Sequence, residues 1–178
     1  MIYSGKEYKR IMVIGCSGSG KSTFSRKLAE ITDLPLIHLD ATFWQENWTH
    51  LSRGKFDAML ESEVEKDRWI IDGNYNRTLE MRLNYADMVI DFRVPRYLCL
   101  VGVVKRYFKY RNTNRPDMAE GCNEKIDFDF LKFIWNFNKK DLPQNDLKIK
   151  KYPNATHIIF TNRKQSEEFL NEIQSAVY

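Results

Sequence analysis

At 178 residues, with 43% apolar and 29% charged residues, the chain has the length and balance of one globular domain, which excludes disordered and fibrous classes. We therefore expect residues 1–178 to form a single domain. The net charge is only +4, and the longest uncharged apolar runs, such as Tyr97 to Val104, fall far short of the ~20 residues of a membrane-spanning helix. Met1 to Arg10 has no apolar signal segment. Cys16, Cys99 and Cys122 are odd in number and widely spaced, which suits neither a disulfide framework nor a zinc site. The expected setting is a reducing cytoplasm, without a membrane partner and without a set oligomeric state.

In chain order, Arg10 to Gly15 is a short β-branched run that predicts a buried parallel strand, and Phe24, Leu28 and Ile31 then repeat at helical spacing from Lys21. Leu36 to Leu39 predicts a second strand ending at Asp40. Phe56, Met59, Leu60 and Val64 mark a helix with Ser52 as its cap. Trp69 to Asp72 is the third strand, Thr78 opens a short helix through Leu79 and Leu83, and Met88 to Phe92 is the fourth. Pro95 suits the first turn of a helix running toward Tyr110. Residues 111–125 are polar, aperiodic and interrupted by Gly and Pro, so they predict a long, mobile, lid-like loop. Phe130, Phe133, Ile134 and Phe137 resume a helical stripe, His157 to Thr161 is the fifth strand, and Phe169, Leu170 and Ile173 lie on a closing helix with Ser166 as cap. Strands alternating with helices predict an α/β three-layer fold, a five-stranded parallel sheet with helices on both faces and ligands at the carboxyl ends of the strands.

Gly15-Cys-Ser-Gly-Ser-Gly20-Lys21-Ser22 matches GxxxxGK[ST] at every fixed position and lies between a predicted strand and a predicted helix, where a phosphate-binding P-loop must lie. Gly15, Gly18 and Gly20 let the backbone at Ser17 and Ser19 turn its N–H groups toward an anion, and the helix adds its positive dipole end. Lys21 suits the β- and γ-phosphates of ATP or GTP, Ser22 suits Mg²⁺, and Thr23 is a neighbouring phosphate contact. Cys16 stands at a variable motif position and reads as filler.

Asp40 has several open roles: accepting a hydroxyl proton, binding an acceptor hydroxyl, holding a magnesium water, or capping a turn. Asp72, at a strand end, competes for the metal role. Phe43, Trp44 and Trp48 suit either a stacked planar substrate or core packing. The segment from Arg93 to Arg115 holds seven basic residues and no acidic one, so it meets something anionic. Lys139 to Lys151 reads as a solvated basic face, with nucleic-acid contact as the sharper alternative. His38, His50 and His157 stand singly and read as structural.

Asp72-Gly73-Asn74-Tyr-Asn-Arg77-Thr78 resembles the segment lining the acceptor pocket of adenylate kinases, with one extra residue before the Arg-Thr pair. From Arg10 to about Phe169 the chain resembles the DNA-topology-modulation (FlaR-type) proteins, small P-loop kinases related to adenylate kinase. That resemblance rests on Gly15 to Ser22, His38-Leu-Asp40 with Trp44 and Trp48, Asp72 to Tyr75, Tyr110 to Met118, and Gly121-Cys122. It implies a nucleotide-kinase-like fold using ATP and Mg²⁺. Ser22 and Asp72 stand at the metal, Arg163 on adenine, and Arg111 and Arg115 on a lid over the transferring phosphoryl group, with Arg106 a weaker third. Trp44, Asp72, Gly73, Asn74 and Arg77 line the acceptor side, with Arg77 expected to clamp an acceptor phosphate.

The expected function is ATP- and Mg²⁺-dependent transfer of the γ-phosphoryl group to a small acceptor: a nucleotide, a nucleoside or another hydroxylated metabolite. Lys21, Asp40, Arg111 and Arg115 are the catalytic candidates. The alternative is an ATP-binding regulatory or DNA-associated protein that affects DNA topology without turning over a small molecule. No helix-turn-helix, zinc-finger or RNP-type motif supports a nucleic-acid partner.

Overall fold

The structure is a computed structural model, and it describes residues 1–111, 113, 115–122 and 124–177. A five-stranded sheet contains β1 (Arg10–Gly15), β2 (Leu36–His38), β3 (Trp69–Asp72), β4 (Met88–Phe92) and β5 (Thr156–Phe160), in the order β2-β3-β1-β4-β5. Every pairing within it is parallel. The helices are α1 (Lys21–Thr32), α2 (Leu39–Phe43), α3 (Arg53–Val64), α4 (Leu79–Leu83), α5 (Arg96–Tyr110), α6 (Phe128–Ile149) and α7 (Arg163–Val177). Trp44–Gln45 and Thr49–His50 form a small antiparallel ribbon between α2 and α3.

Alternation along the strands explains the three layers. Ile11 and Val13 of β1 point into one apolar cluster and Met12 and Ile14 into another, and all four are fully buried. The first cluster takes Phe24 and Leu28 from α1, Cys99 and Val103 from α5, and Phe169 and Ile173 from α7. The second takes Leu39 from α2, Phe56 and Leu60 from α3, and Leu79 and Leu83 from α4. Each large side chain so buried contributes roughly 1.5–3 kcal/mol relative to exposure. Among the described residues, no helix is long and apolar enough to cross a membrane.

Several boundaries differ from the sequence reading. β2 stops at His38, because Leu39 turns into the second cluster, and Asp40 thus stands in the first turn of α2 rather than at a strand end. Pro95 is the residue before α5 rather than part of its first turn. Ser166 is not a cap: α7 begins at Arg163, the Ser166 hydroxyl donates to Arg163 O at 2.7 Å, and Asn162 Oδ1 accepts from Gln165 N at 3.1 Å. Thr78 makes no capping bond to α4, and its hydroxyl donates instead to Tyr75 O at 3.3 Å. Ser52 does cap α3, accepting from Lys55 N at 3.4 Å.

The largest difference is α6, whose 22 residues span about 33 Å and run straight through Pro143. Ile134 and Phe137 enter the first cluster and Ile149 the second, so this helix bridges both layers. Lys139 to Lys151 is therefore mostly its C-terminal half; Lys139, Lys140, Lys150 and Lys151 are exposed, as expected of a solvated face, and Lys148 is turned partly inward. Lys148 donates to Asn76 O and Oδ1 at 2.6 Å, and Lys151 pairs with Glu80 at 2.9 Å. The irregular segment before α6 is docked on the small ribbon: Asn47 N donates to Gly121 O at 3.4 Å and Cys122 Sγ to Gln45 O at 3.0 Å. Asn112, Asn114 and Asn123 of the lid-like stretch lie outside the described residues.

The loop after β1 rests on α5 backbone to backbone. A Cβ at Gly18, where φ is +79°, would lie 2.1 Å from Cys99 O, and one at Gly102 would lie 2.2 Å from Gly18 O. Gly102→Ala should therefore push the loop off α5 and destabilise the protein by about 1–3 kcal/mol. Urea denaturation checks this, and an unchanged midpoint would contradict the close approach.

Candidate active site

The helix rule for anion sites is met at the start of α1. Gly20 precedes the helix with φ +108°, and Lys21, Ser22 and Thr23 form its first turn. These residues, with Ser17 and Gly18, line a cavity of about 460 Å³ that Lys105, Lys109 and Arg163 also edge. Arg163 Nη2 donates to Gly18 O at 3.1 Å, which ties α7 to the loop. Gly15 ends β1, and Ser19 is fully buried. The Cys16 thiol is free, hydrogen-bonded to the Cys99 thiol and buried, and both causes push its pKa up, as suits a packing residue.

Asp72 closes β3 beside this loop and is almost entirely buried. Burial by itself opposes ionisation, yet the Lys21 ammonium and bonds from His38 and Ser22 hold its carboxyl below the ordinary value. His38 Nδ1 lies 2.8 Å from Asp72 Oδ2; an ionised carboxylate only accepts, so the imidazole donates. The other oxygen, Oδ1, is buried with no protein partner among the described residues. An unsatisfied carboxylate oxygen beside a serine hydroxyl is the donor set a divalent cation takes, so Ser22 and Asp72 fit Mg²⁺.

Asp117 faces the same serine from the irregular segment. Burial works against its ionisation, and the Arg115 guanidinium, helped by the Ser22 hydroxyl, overcomes it and lowers its pKa from 3.8 to about 2. Arg115 is itself buried and holds Asp117 through two 3.0 Å bonds while its third nitrogen meets Glu124. Arg106 reaches Glu124 at 3.0 Å and Arg26 lies 3.6 Å from Asp117. Arg106 and Arg115 also line the cavity over the loop, whereas Arg111, exposed just after α5, does not line it.

A second cavity, of about 570 Å³, adjoins the first and shares Ser17, Lys21, Asp40, Arg106 and Arg115 with it. Asp40 Oδ1 accepts the Tyr75 hydroxyl at 3.0 Å. Trp44, Trp48, Gly73 and Asn74 stand in its wall, as do Phe130 and Phe133 of α6. Arg77 is not there: it points outward and pairs with Asp57 at 2.6 and 2.7 Å, so the expected phosphate clamp is committed elsewhere. The side chain that shapes this loop is Arg82, which sequence reasoning passed over. Fully buried on α4, it donates to Gly73 O at 2.7 Å, Asn74 O at 2.8 Å and Tyr75 O at 3.0 Å. His38, Asp117 and Glu124 were likewise missed as site residues. The one available signal was their position, flanking Asp40 or following the basic segment.

No family profile matches this sequence, and no curated protein sequence does either. Solved structures do share its fold. Shikimate kinase from Bacteroides thetaiotaomicron matches with a TM-score of 0.58 and 20% identity, over 96% of this chain and 99% of that one. Shikimate kinase from Acinetobacter baumannii, solved in complex with shikimate, matches at 0.58 and 17% identity, over 95% and 94% of the two chains. A sugar kinase from Janibacter sp. HTCC2649 matches at 0.50 and 16% identity, over 96% and 98%. The chain has the fold of P-loop kinases.

Two outcomes follow from these contacts. Arg82→Met strips the guanidinium from the carbonyls of Gly73, Asn74 and Tyr75, and should cost at least about 3 kcal/mol in a urea titration, since each orphaned buried acceptor costs roughly 1–3. Because Asp117 titrates lower in the folded state than unfolded, its contribution is complete above about pH 4 and lost as pH falls through about 2, on the order of 2 kcal/mol. Asp117→Asn should remove that part of the acid dependence; an acid limb identical to wild type would contradict it.

Proposed function

We propose that this protein is an ATP- and Mg²⁺-dependent phosphotransferase that moves the γ-phosphoryl group of ATP to a hydroxyl of a small acceptor. The observation that carries this reading is the junction of the two cavities, where Lys21 of the phosphate loop and Asp40 of α2 line both. ATP occupies the first cavity, with loop N–H groups and Lys21 on its phosphates and Arg163 on the base side. The acceptor occupies the second, its hydroxyl next to Asp40.

In this reading Ser22 and Asp72 hold Mg²⁺, which neutralises charge on the β- and γ-phosphates when bound. His38 fixes the Asp72 carboxylate through its 2.8 Å bond. Asp40 keeps Oδ2 for the acceptor proton while Tyr75 holds Oδ1. Arg115 and Arg106 stand over the junction, and either stabilises the transferring group only by exchanging a carboxylate partner for a phosphate oxygen. Arg111 takes part only if the end of α5 moves.

The motifs from Gly15 to Ser22, Asp72 to Tyr75 and Tyr110 to Met118 support membership of the FlaR-type branch of adenylate-kinase-like proteins. The DNA-associated reading is weakened, because three of the seven basic residues of the segment are paired with carboxylates and a fourth stacks on an aromatic ring. Arg93 binds Asp91 and Asp146, Arg96 stacks on Trp135 at 3.8 Å, and Arg106 and Arg115 are paired as above.

Lys21→Ala is expected to lower acceptor-dependent ADP release by about a hundredfold or more while the circular dichroism and urea midpoint stay near wild type. Unchanged turnover would remove the assignment.

A further inference from the structure

The acceptor cavity is unlike a site for an anion. Its walls are aromatic: Phe43, Trp44 and Trp48 stand in successive edge-to-face contact, with ring centroids 5.1 and 5.4 Å apart, and Tyr75 meets Phe43 at 5.3 Å. Phe130 and Phe133 line it from α6 as a near-parallel pair, 14° apart in plane. Planar faces on two separate elements suit a planar ring.

The charges point the same way. Arg77, the natural clamp for an acceptor phosphate, is bound to Asp57 outside the cavity. Arg106 and Arg115, at the end facing the phosphate loop, are held by Glu124 and Asp117. Of the two lysines in the walls, Lys21 belongs to the phosphate loop and Lys125 has its ammonium 4.8 Å over the Trp48 ring. Besides Glu124, which is engaged by the two arginines, three carboxylates, Asp40, Asp127 and Asp141, line the same space. An acceptor bringing a phosphate or carboxylate would meet that acidic set with no free guanidinium to hold it.

A fixed donor completes the cavity. Asn145, buried on α6, donates Nδ2 to Asn74 Oδ1 at 3.0 Å and accepts from Asn76 Nδ2 at 2.8 Å, while Lys148 holds Asn76 Oδ1 at 2.6 Å. The Asn74 amide is thereby oriented with its oxygen committed and its Nδ2 available to a ring substituent.

We propose that the acceptor is an uncharged, planar-ringed alcohol, a nucleoside rather than a nucleoside monophosphate or an anionic sugar. This inference rests on the phosphotransferase reading. The base lies between the Trp44 and Trp48 wall and the Phe130 and Phe133 pair, read by Asn74, and the sugar hydroxyl faces Asp40. In the step itself the hydroxyl oxygen bonds to the γ-phosphorus, the bond from that phosphorus to the β,γ-bridging oxygen breaks, ADP leaves with its electron pair, and the hydroxyl proton passes to Asp40 Oδ2.

The test uses the full chain and two readouts. Tryptophan fluorescence reports binding of adenosine, guanosine, cytidine and thymidine, each against its 5′-monophosphate, without ATP. ADP release from ATP·Mg²⁺ then reports transfer to the same compounds and to shikimate and gluconate. At least one nucleoside should quench the fluorescence and show kcat/KM about tenfold or more above its own monophosphate and both anionic alcohols. Trp44→Leu should raise the KM for that nucleoside about tenfold with kcat little changed. Preferred transfer to a monophosphate, shikimate or gluconate would overturn the acceptor class while leaving a phosphotransferase. Tight ATP binding with no nucleoside-dependent fluorescence change or turnover would also overturn the class. Failure to bind ATP would overturn the phosphotransferase reading and this inference together.

Discussion

Gly18 and Gly102 meet with no side chain between them, and the positions around both cavities depend on that contact. It presses the phosphate loop onto α5, which fixes where the loop N–H groups point and where α5 delivers Arg106. A side chain at either position would separate the two backbones. The sheet sets the other coordinate: Val13 of β1 and His38 of β2 both pair with Asp72 of β3, so the carboxylate ends beside the loop and within reach of the imidazole. Loop, Asp72 and α5 are thus held by backbone geometry, and preorganisation of this kind is what the proposed phosphoryl transfer would demand of a protein.

Charge is managed as tightly as shape. Arg26, Arg106, Arg115, Asp117 and Glu124 form one largely buried network above the loop, in which three guanidinium groups share two carboxylates. Buried pairs of this kind add little net stability but are costly to break singly. In the proposed reading a triphosphate would present a competing set of oxygens to the same arginines, and its binding would be coupled to Asp117 and Glu124 through those shared partners. The acceptor side is organised differently, with aromatic walls, an amide held by Asn145, and a loop whose carbonyls close on Arg82.

Much of this was legible in the sequence, for identifiable reasons. The strands are short, apolar and bounded by polar turns, and the loop from Gly15 to Ser22 lies between a strand and a helix, so the five parallel strands and the helices on both faces could be read, though not the strand order. What escaped reading depended on partners distant in the chain. Arg77 looked like a clamp until Asp57, on α3, claimed it. Arg115 looked like a free lid arginine until Glu124 and Asp117 surrounded it. The full length of α6 was not read, because it carries Pro143 in its interior, where contacts at both ends of the helix outweigh one lost backbone bond. Gly102 was a missed signal: glycine inside a helix costs about 1 kcal/mol against alanine, so its presence there asks for a packing reason, and the loop supplies it.

Following the γ-phosphoryl group tests the central claim most directly. With ATP labelled at the γ-phosphorus, Mg²⁺, and a mixed pool of nucleosides, nucleotides and hydroxylated metabolites, the wild-type protein should deliver the label into an organic phosphate ester, with ADP formed in equal amount. Label that stays in ATP, or appears only as inorganic phosphate while acceptors are present, would contradict transfer between the two cavities.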